Sequence, residues 1–129
     1  MRILQPPEWE KPRGYTNGIA VSGQLIFVAG QIGWNAEQIF EAKDFVGQTK
    51  QILLNICAVL AEADAKPEHI TRMTWYVVDK QEYISSYKAI GGIYREIIGN
   101  HYPTMTAIQV AGLLEDDARL EIEATAVIP

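Results

Sequence analysis

The sequence has very little of the residues that build disulfides, metal sites or thiol nucleophiles. Cysteine occurs once, at Cys57, so an intrachain disulfide is excluded and an oxidising compartment is not implied. Cys57 lies in the apolar stretch 52–60, where a buried, inert thiol is expected. His69 and His101 are too far apart to form a recognisable metal motif. We expect both to be loop residues, and His101 is the better functional candidate because it lies just before Pro103.

Long apolar runs and the signature motifs of several common enzyme classes are also missing. No apolar run approaches the roughly 18 residues that a membrane helix needs. Residues 1–14 carry three prolines and mixed charge rather than a signal peptide, which predicts a cytoplasmic protein. The sequence contains none of the motifs G-x-S-x-G, G-x-x-x-x-G-K-[ST] and G-x-G-x-x-G. Its net charge is −5 and its basic residues are scattered, unlike the basic face of a nucleic-acid-binding protein.

The length and composition are those of an ordinary globular protein. A chain of 129 residues buries roughly two thirds of the surface that its unfolded form exposes, so it needs no covalent staple to fold. Neither a linker nor an internal repeat is visible. We therefore predict a single domain spanning residues 1–129.

Hydrophobic periodicity predicts an α+β fold with the element order β-β-α-β-α-β-β. Ser22-Gly23 is expected to form the turn of a hairpin between the first two strands. The predicted strands are 19–21, 24–29, 70–78, 104–111 and 119–127, and the predicted helices are 44–63 and 79–98.

Two features mark the second predicted helix. Asp79 followed by Glu82 resembles a capping box that opens the helix. Gly91 and Gly92 lie in its middle, where together they cost up to ~2 kcal/mol relative to alanine. We expect this pair to reflect close packing of the helix against the sheet.

The residue alternation in the predicted strand 70–78 indicates that the two faces of the sheet differ in polarity. Arg72, Thr74 and Tyr76 alternate with Met73, Trp75 and Val77. Two helices cover only one face of such a sheet, and the other is neither wholly polar nor wholly apolar. This pattern favours an oligomer whose interface encloses some water.

The last strand places two carboxylates on one face. Glu121 and Glu123 are about 7 Å apart along the backbone. Such a pair divides acid and base roles where the environments separate the two pKa values. A solvated or salt-bridged strand face explains the same spacing, so the residues alone leave both interpretations open.

Several segments, in this order, form a more specific pattern. They are Gly14-Tyr15 with Gly18, LIFVAGQI at 25–32, Asn55 with LAEA at 60–63, RMTWYVVD at 72–79, PTMT at 103–106, and LEIEATA at 120–126. Together they resemble the YjgF/RidA family, also called the L-PSP endoribonuclease family, from about residue 14 to the C-terminus.

The resemblance implies a chorismate-mutase-like fold, with two helices on one face of a mixed sheet. It also implies a homotrimer whose sheets form a central barrel, with small-molecule clefts between subunits. Active members hydrolyse reactive imines and enamines to keto acids and ammonia, and they use no metal or organic cofactor. A small-molecule ligand and other copies of the chain are thus the implied partners, and neither a membrane nor nucleic acid is expected.

The implied site residues carry over one by one. Glu121 matches the glutamate that positions the attacking water, and is the implied catalytic residue. Gly30 and Gln31 match the turn that orients the substrate, and Tyr15 matches a wall of the cleft. Tyr87 and Ala107 complete the implied substrate-binding residues, together with the residue at position 105.

Position 105 departs from the family pattern. The family has Pro-Ala-Arg, whose arginine clamps the substrate carboxylate, and this chain has Pro103-Thr104-Met105. A thioether does not replace a charge-assisted hydrogen bond, which is worth ~1.5–3 kcal/mol. Gly91 falls where many members have an asparagine in the cleft. We therefore place the chain in an arginine-lacking branch whose ligand is held by another group or has no such carboxylate, and Arg13, Arg95 and His101 are the possible substitutes.

Three functions remain open from the sequence. The first is a cofactor-free hydrolase of imine, enamine or related C–N bonds, favoured by Glu121, Tyr15 and the Gly30-Gln31 turn. The second is a trimer that binds a metabolite without turnover, favoured by Met105. The third, a ribonuclease that inhibits translation, is disfavoured by the acidic charge.

Overall fold

Six strands and three α-helices make up the fold in the computed structural model, which describes residues 1–129. The strands are β1 (Arg2–Leu4), β2 (Gly18–Ala20), β3 (Gln24–Ile32), β4 (Ile70–Val77), β5 (Thr104–Gln109) and β6 (Leu120–Ile128). The helices are α1 (Phe45–Ala61), α2 (Lys80–Ser85) and α3 (Tyr87–Ile97), and a short 3-10 turn covers Pro67–His69. No helix combines the length and the apolar character needed to cross a membrane.

Four of the strands form a mixed sheet in the order β3-β6-β4-β5. β4 and β5 are parallel, whereas β6 runs antiparallel to both β3 and β4. The register of β3 against β6 shifts between Val28 and Gln31, which marks a bulge around Gly30 within a strand that continues to Ile32. β3 and β5 are left as the two edges of the sheet.

The helices pack on one face of this sheet, as predicted, and the core lies between the two layers. The predicted alternation in β4 is confirmed, because Met73, Trp75 and Val77 are buried on the helix side. α1 contributes a fully buried stripe consisting of Ile52, Leu53, Ile56 and Leu60. Asp44 caps α1 by accepting a hydrogen bond from the backbone N–H of Gly47.

The predicted hairpin around Ser22-Gly23 is wrong. β2 pairs with β1 rather than with β3, and β3 instead pairs with β6 from Gln24 onward. Gly23 has φ +149, and a Cβ there would lie 2.8 Å from the Cα of Pro129. The dipeptide therefore forms a tightly packed corner between the two sheets, a conformation that suits glycine.

The prediction of one continuous second helix is also wrong. The segment forms two helices, α2 and α3, which are separated at Ser86. The hydroxyls of Ser85 and Ser86 donate to the carbonyl of Glu82, at 3.1 and 2.7 Å. Such local bonds compete with regular helix and favour a break. Asp79 does cap α2, but the Glu82 carboxylate pairs with Arg119 at 2.7 Å instead of folding back as in a capping box.

The glycine pair in α3 does not pack closely against the sheet, so that prediction is wrong. A Cβ on Gly92 would meet nothing within 4 Å. A Cβ on Gly91 would meet only the Nη1 atom of Arg95, at 3.3 Å. The pair leaves space along the helix surface rather than allowing a close approach.

Candidate functional site

A cavity of about 850 Å³ lies between α2, α3 and the strands β4 and β5. The segment 13–15 closes one side of it. This segment is held beside the sheet by the neighbouring Thr16, whose backbone N–H donates to the Pro103 carbonyl at 3.1 Å. The same residue forms an isolated bridge with Thr104 at the start of β5. The N-terminal segment is thereby fixed next to the edge strand that carries Met105.

Six aromatic side chains line the cavity. The ring of Tyr83 packs edge-on against Tyr87, with centroids 5.1 Å apart, and lies 5.9 Å from the ring of Trp75. On the far side Tyr94 stacks on Tyr102 at 5.6 Å. Burial raises the pKa of Tyr83 above the ordinary tyrosine value, because it disfavours the charged tyrosinate. Edge-on and offset pairs of this kind hold their rings in defined positions.

All the charged side chains that line the cavity are positive. Arg13, Lys80 and Arg95 line it, and no aspartate or glutamate does. None of the three cations makes an ion pair, since the one salt bridge in the structure joins Arg119 to Glu82. Trp75 is 1% exposed, and its indole Nε1 has no hydrogen-bond partner in the protein. The cavity therefore presents positive charge beside apolar surface, and the unpartnered indole N–H lies buried behind it.

Four residues implied by the family resemblance meet at this cavity. Tyr15, Tyr87, Met105 and Ala107 all line it, although they come from three separate parts of the chain. The strand β5 positions two of them, since Met105 and Ala107 are two residues apart and face the same side of the strand. Gly91, which the family resemblance aligns with an asparagine of many members, lines the same cavity.

The other three implied residues lie elsewhere. Gly30, Gln31 and Glu121 do not line the cavity. Glu121 alternates with the buried residues Leu120 and Ile122, so its side chain lies on the sheet face away from the helices. There the carboxylate packs directly against Gly30, and it makes no hydrogen bond within the chain. The side-chain amide of Gln31 donates to the Ala29 carbonyl at 3.1 Å.

The second carboxylate of β6 has a structural partner. Glu123 accepts a hydrogen bond from the Tyr76 hydroxyl at 2.7 Å. This bond raises the pKa of Tyr76, because it favours the protonated hydroxyl. Glu123 also borders a second cavity, of about 600 Å³, on the face away from the helices. The two glutamates thus share a face but differ in their contacts.

The two histidines and the single cysteine lie outside the cavity lining. The His101 ring bonds the Ile70 carbonyl through Nε2 at 2.6 Å and does not line the cavity. His69 lies in the 3-10 turn, where its Nδ1 accepts from the backbone N–H of Lys66. Cys57 is partly buried, and burial raises its pKa. Among the suggested substitutes for the missing arginine, Arg13 and Arg95 therefore reach the cavity and His101 does not.

Sequence reasoning missed several residues of the cavity. Trp75, Tyr83 and Lys80 line it, and none of them is a site candidate from the sequence. The spacing of Tyr83, Tyr87 and Tyr94 was the available signal, because aromatic residues on one side of a helical segment line a common surface.

Comparison with known proteins gives consistent matches over nearly the whole chain. A sequence model of the family described as Endoribonuclease L-PSP matches residues 9–128. A RutC family protein from Aquifex aeolicus is 33% identical over 98% of this chain and 99% of its own length. A 2-iminobutanoate/2-iminopropanoate deaminase from Salmonella typhimurium is 28% identical over 88% of this chain and 86% of its own. The crystal structure of YyfB, a Rid family protein from Yersinia pestis, superimposes with a TM-score of 0.86 at 30% identity, covering 98% of both chains.

Proposed function

The chain belongs to the endoribonuclease L-PSP family, also called the YjgF/RidA family, and we propose that it hydrolyses the C–N bond of imines or enamines. The observation that carries this proposal is the meeting of Tyr15, Tyr87, Met105 and Ala107 at one cavity. The similarity to a 2-iminobutanoate/2-iminopropanoate deaminase supports the reaction class.

The proposal includes a homotrimer in which two copies build each site. Within one chain, Glu121 and Gly30 are on the opposite side of the sheet from the cavity. The face that carries them is unusually apolar for a free surface, since Phe27 is 73% and Leu25 58% exposed. The edge strands β3 and β5 are both unpaired on their outer sides. A neighbouring copy that covers this face would bring its Glu121 to the open side of the cavity.

The proposed reaction consumes water and needs one acid–base group. The Glu121 carboxylate accepts a proton from a water molecule as the water oxygen bonds to the imine carbon. The imine nitrogen takes that proton, which gives a neutral carbinolamine. The hydroxyl proton of the carbinolamine then passes through the same carboxylate to the nitrogen as the C–N bond breaks, and ammonia and a carbonyl product are released. Contact with Gly30 fixes the carboxylate, and the lack of an internal hydrogen bond leaves its oxygens available.

A second candidate function is binding without turnover. Met105 favours it, because the thioether at the cavity wall supplies no charge to orient a small carboxylate. In this alternative the same cavity holds a metabolite, and Glu121 has no chemical role.

Ammonia release from freshly generated amino-acid imines tests the proposal. Wild type is expected to accelerate release above the spontaneous rate, and Glu121→Gln to lose that acceleration while keeping its melting temperature. Glu123→Gln is the matched control, because Glu123 bonds Tyr76 and has no proposed chemical role. No acceleration by wild type, with a keto acid still binding, would favour the second function. Light scattering should give a mass close to three times 14.4 kDa.

A further inference from the structure

We propose that the cavity selects 2-imino acids, and the matching 2-keto acids, that carry an aromatic side chain, and that Arg13 and Arg95 hold their carboxylate. For the imines this inference rests on the function proposed above. For the keto acids it concerns binding alone, which is measured separately.

The charge of the cavity selects an anion. Arg13, Lys80 and Arg95 line it without a single carboxylate, in a protein whose net charge is −5. All three residues are exposed, and unpaired cations that border a partly apolar cavity attract anions more strongly than the same charges spread in water. Arginine also offers two parallel donors that match the geometry of a carboxylate. The charge absent at Met105 is thus present at two other points of the cavity lining.

The Arg95 side chain extends to the cavity over Gly91, which has no side chain in its way. The two residues are one turn apart on α3, and so they share a face of the helix. The Nη1 atom of Arg95 lies 3.3 Å from the point that a Cβ on Gly91 would occupy. A longer side chain at position 91 would compete with the guanidinium for this space. The absence of a side chain at position 91 therefore leaves the space beside which the Arg95 guanidinium lies.

Arg13 is brought to the same cavity by the turn that follows it. Gly14 has φ +78, a left-handed conformation that glycine adopts without strain. The turn leads into Tyr15, which lines the cavity next to Arg13. Arg13 has no hydrogen bond or ion pair within the chain, and its guanidinium is available to a ligand.

The walls select a flat, apolar body. Tyr87 is 56% exposed and Tyr15 41% exposed, so both rings offer free surface at the cavity. In the single chain the volume of about 850 Å³ is far larger than a three-carbon acid fills, which leaves room for an aromatic ring beside the side chains that the neighbouring copy would bring. An aromatic side chain of the ligand would contact these rings, whereas a methyl group would leave most of their surface uncovered.

The test is calorimetric binding of three stable probes to the intact protein: phenylpyruvate, its neutral methyl ester, and pyruvate. Phenylpyruvate is expected to bind at least about tenfold more tightly than either of the others, because only it has both the ring and the charge. The double variant Arg13→Met/Arg95→Met should lose at least about tenfold for phenylpyruvate and little for the ester. Lys88→Met is the matched control, since it removes an exposed cation of α3 that does not line the cavity. Melting temperatures of all variants should remain close to that of wild type.

Two results would overturn the inference: pyruvate binding as tightly as phenylpyruvate, or the double variant binding phenylpyruvate like wild type. Ammonia assays separate this failure from that of the proposed function. Turnover of the alanine imine without preference for the phenylalanine imine would keep the hydrolase and remove the aromatic selectivity. Selective, arginine-dependent binding of phenylpyruvate without any turnover would support the ligand class and remove the hydrolase.

Discussion

The carboxylate of Glu121 lies directly against the backbone of Gly30, on the face of the sheet opposite the helices. A Cβ built on Gly30 would stand 2.8 Å from the Glu121 Cδ and 3.0 Å from its Cγ. Position 30 has no left-handed backbone, so conformation alone does not require glycine there. The requirement comes from the glutamate, which occupies the space of a side chain.

Gly30→Ala should therefore damage activity more than stability. The methyl group displaces the Glu121 side chain, and a misplaced acid–base group costs on the order of a hundredfold in rate. We expect kcat for imine hydrolysis to fall at least about tenfold, with the melting temperature within a few degrees of wild type. Stopped-flow ammonia assays and thermal melts check this result. Unchanged kcat would show that the position of Glu121 does not matter to the reaction.

Met105→Arg should shift the preference toward small substrates. The new guanidinium enters the wall that carries Ala107 and supplies the clamp that the family uses for short carboxylates. We expect kcat/KM for the alanine imine to rise about tenfold or more relative to wild type. Met105→Gln, which fills similar space without the charge, is the control. A gain with glutamine equal to that with arginine would contradict the clamp explanation.

Tyr94→Phe should lower stability in a pH-dependent way. The Tyr94 hydroxyl donates to the His101 carbonyl at 2.7 Å, and its loss should cost about 1 kcal/mol in the free energy of unfolding at pH 8. Burial raises the pKa of Tyr94, so the folded state disfavours the tyrosinate. Its stabilising contribution is complete below the ordinary tyrosine pKa of about 10 and is lost as the pH rises above it. Urea titrations at pH 8 and above pH 10 should therefore show the two proteins converging; a constant difference would be inconsistent with this.

Asp79→Ala should weaken the helix that forms one side of the cavity. The Asp79 side chain accepts from the backbone N–H groups of Gln81 and Glu82, which α2 leaves without helical partners. Removing the cap should cost about 1 kcal/mol, and Asp79→Asn much less because asparagine also caps. Urea denaturation of both variants checks this. Equal losses would assign the role of Asp79 to its charge rather than to its hydrogen bonds.

Much of the sheet was predictable because its central strands alternate clearly. β4 and β6 are buried on one face, and their sequences show a regular alternation that fixes which residues face the helices. The stripe of α1 was visible for the same reason. The pairing of β1 with β2 was not, because each strand has three residues and neither carries an alternation. The break at Ser86 depends on local hydroxyl bonds that compete with a helical pattern continuing on both sides.

The site was predictable in part. The family resemblance led to Tyr15, Tyr87, Met105 and Ala107, which the fold brings to one cavity. From the sequence, Arg95 was one of three possible substitutes for the missing arginine. The sequence does not single it out, because its position at the cavity depends on the space at Gly91 and on the packing of α3. The separation of Glu121 from the cavity follows from strand alternation and sheet order together, and the second was not available from the sequence.

The most direct test of the two-copy site is a mixture of two defective chains. Glu121→Gln removes the proposed acid–base group, and Ala107→Trp fills the cavity, so each variant alone should be inactive. In a closed ring where one copy supplies the cavity and the next supplies Glu121, equal co-refolding should restore about a quarter of the wild-type sites. The account predicts that fraction of imine hydrolysis in the mixture. A mixture as inactive as its two components, beside an active wild type, would place cavity and glutamate in the same chain and contradict the account.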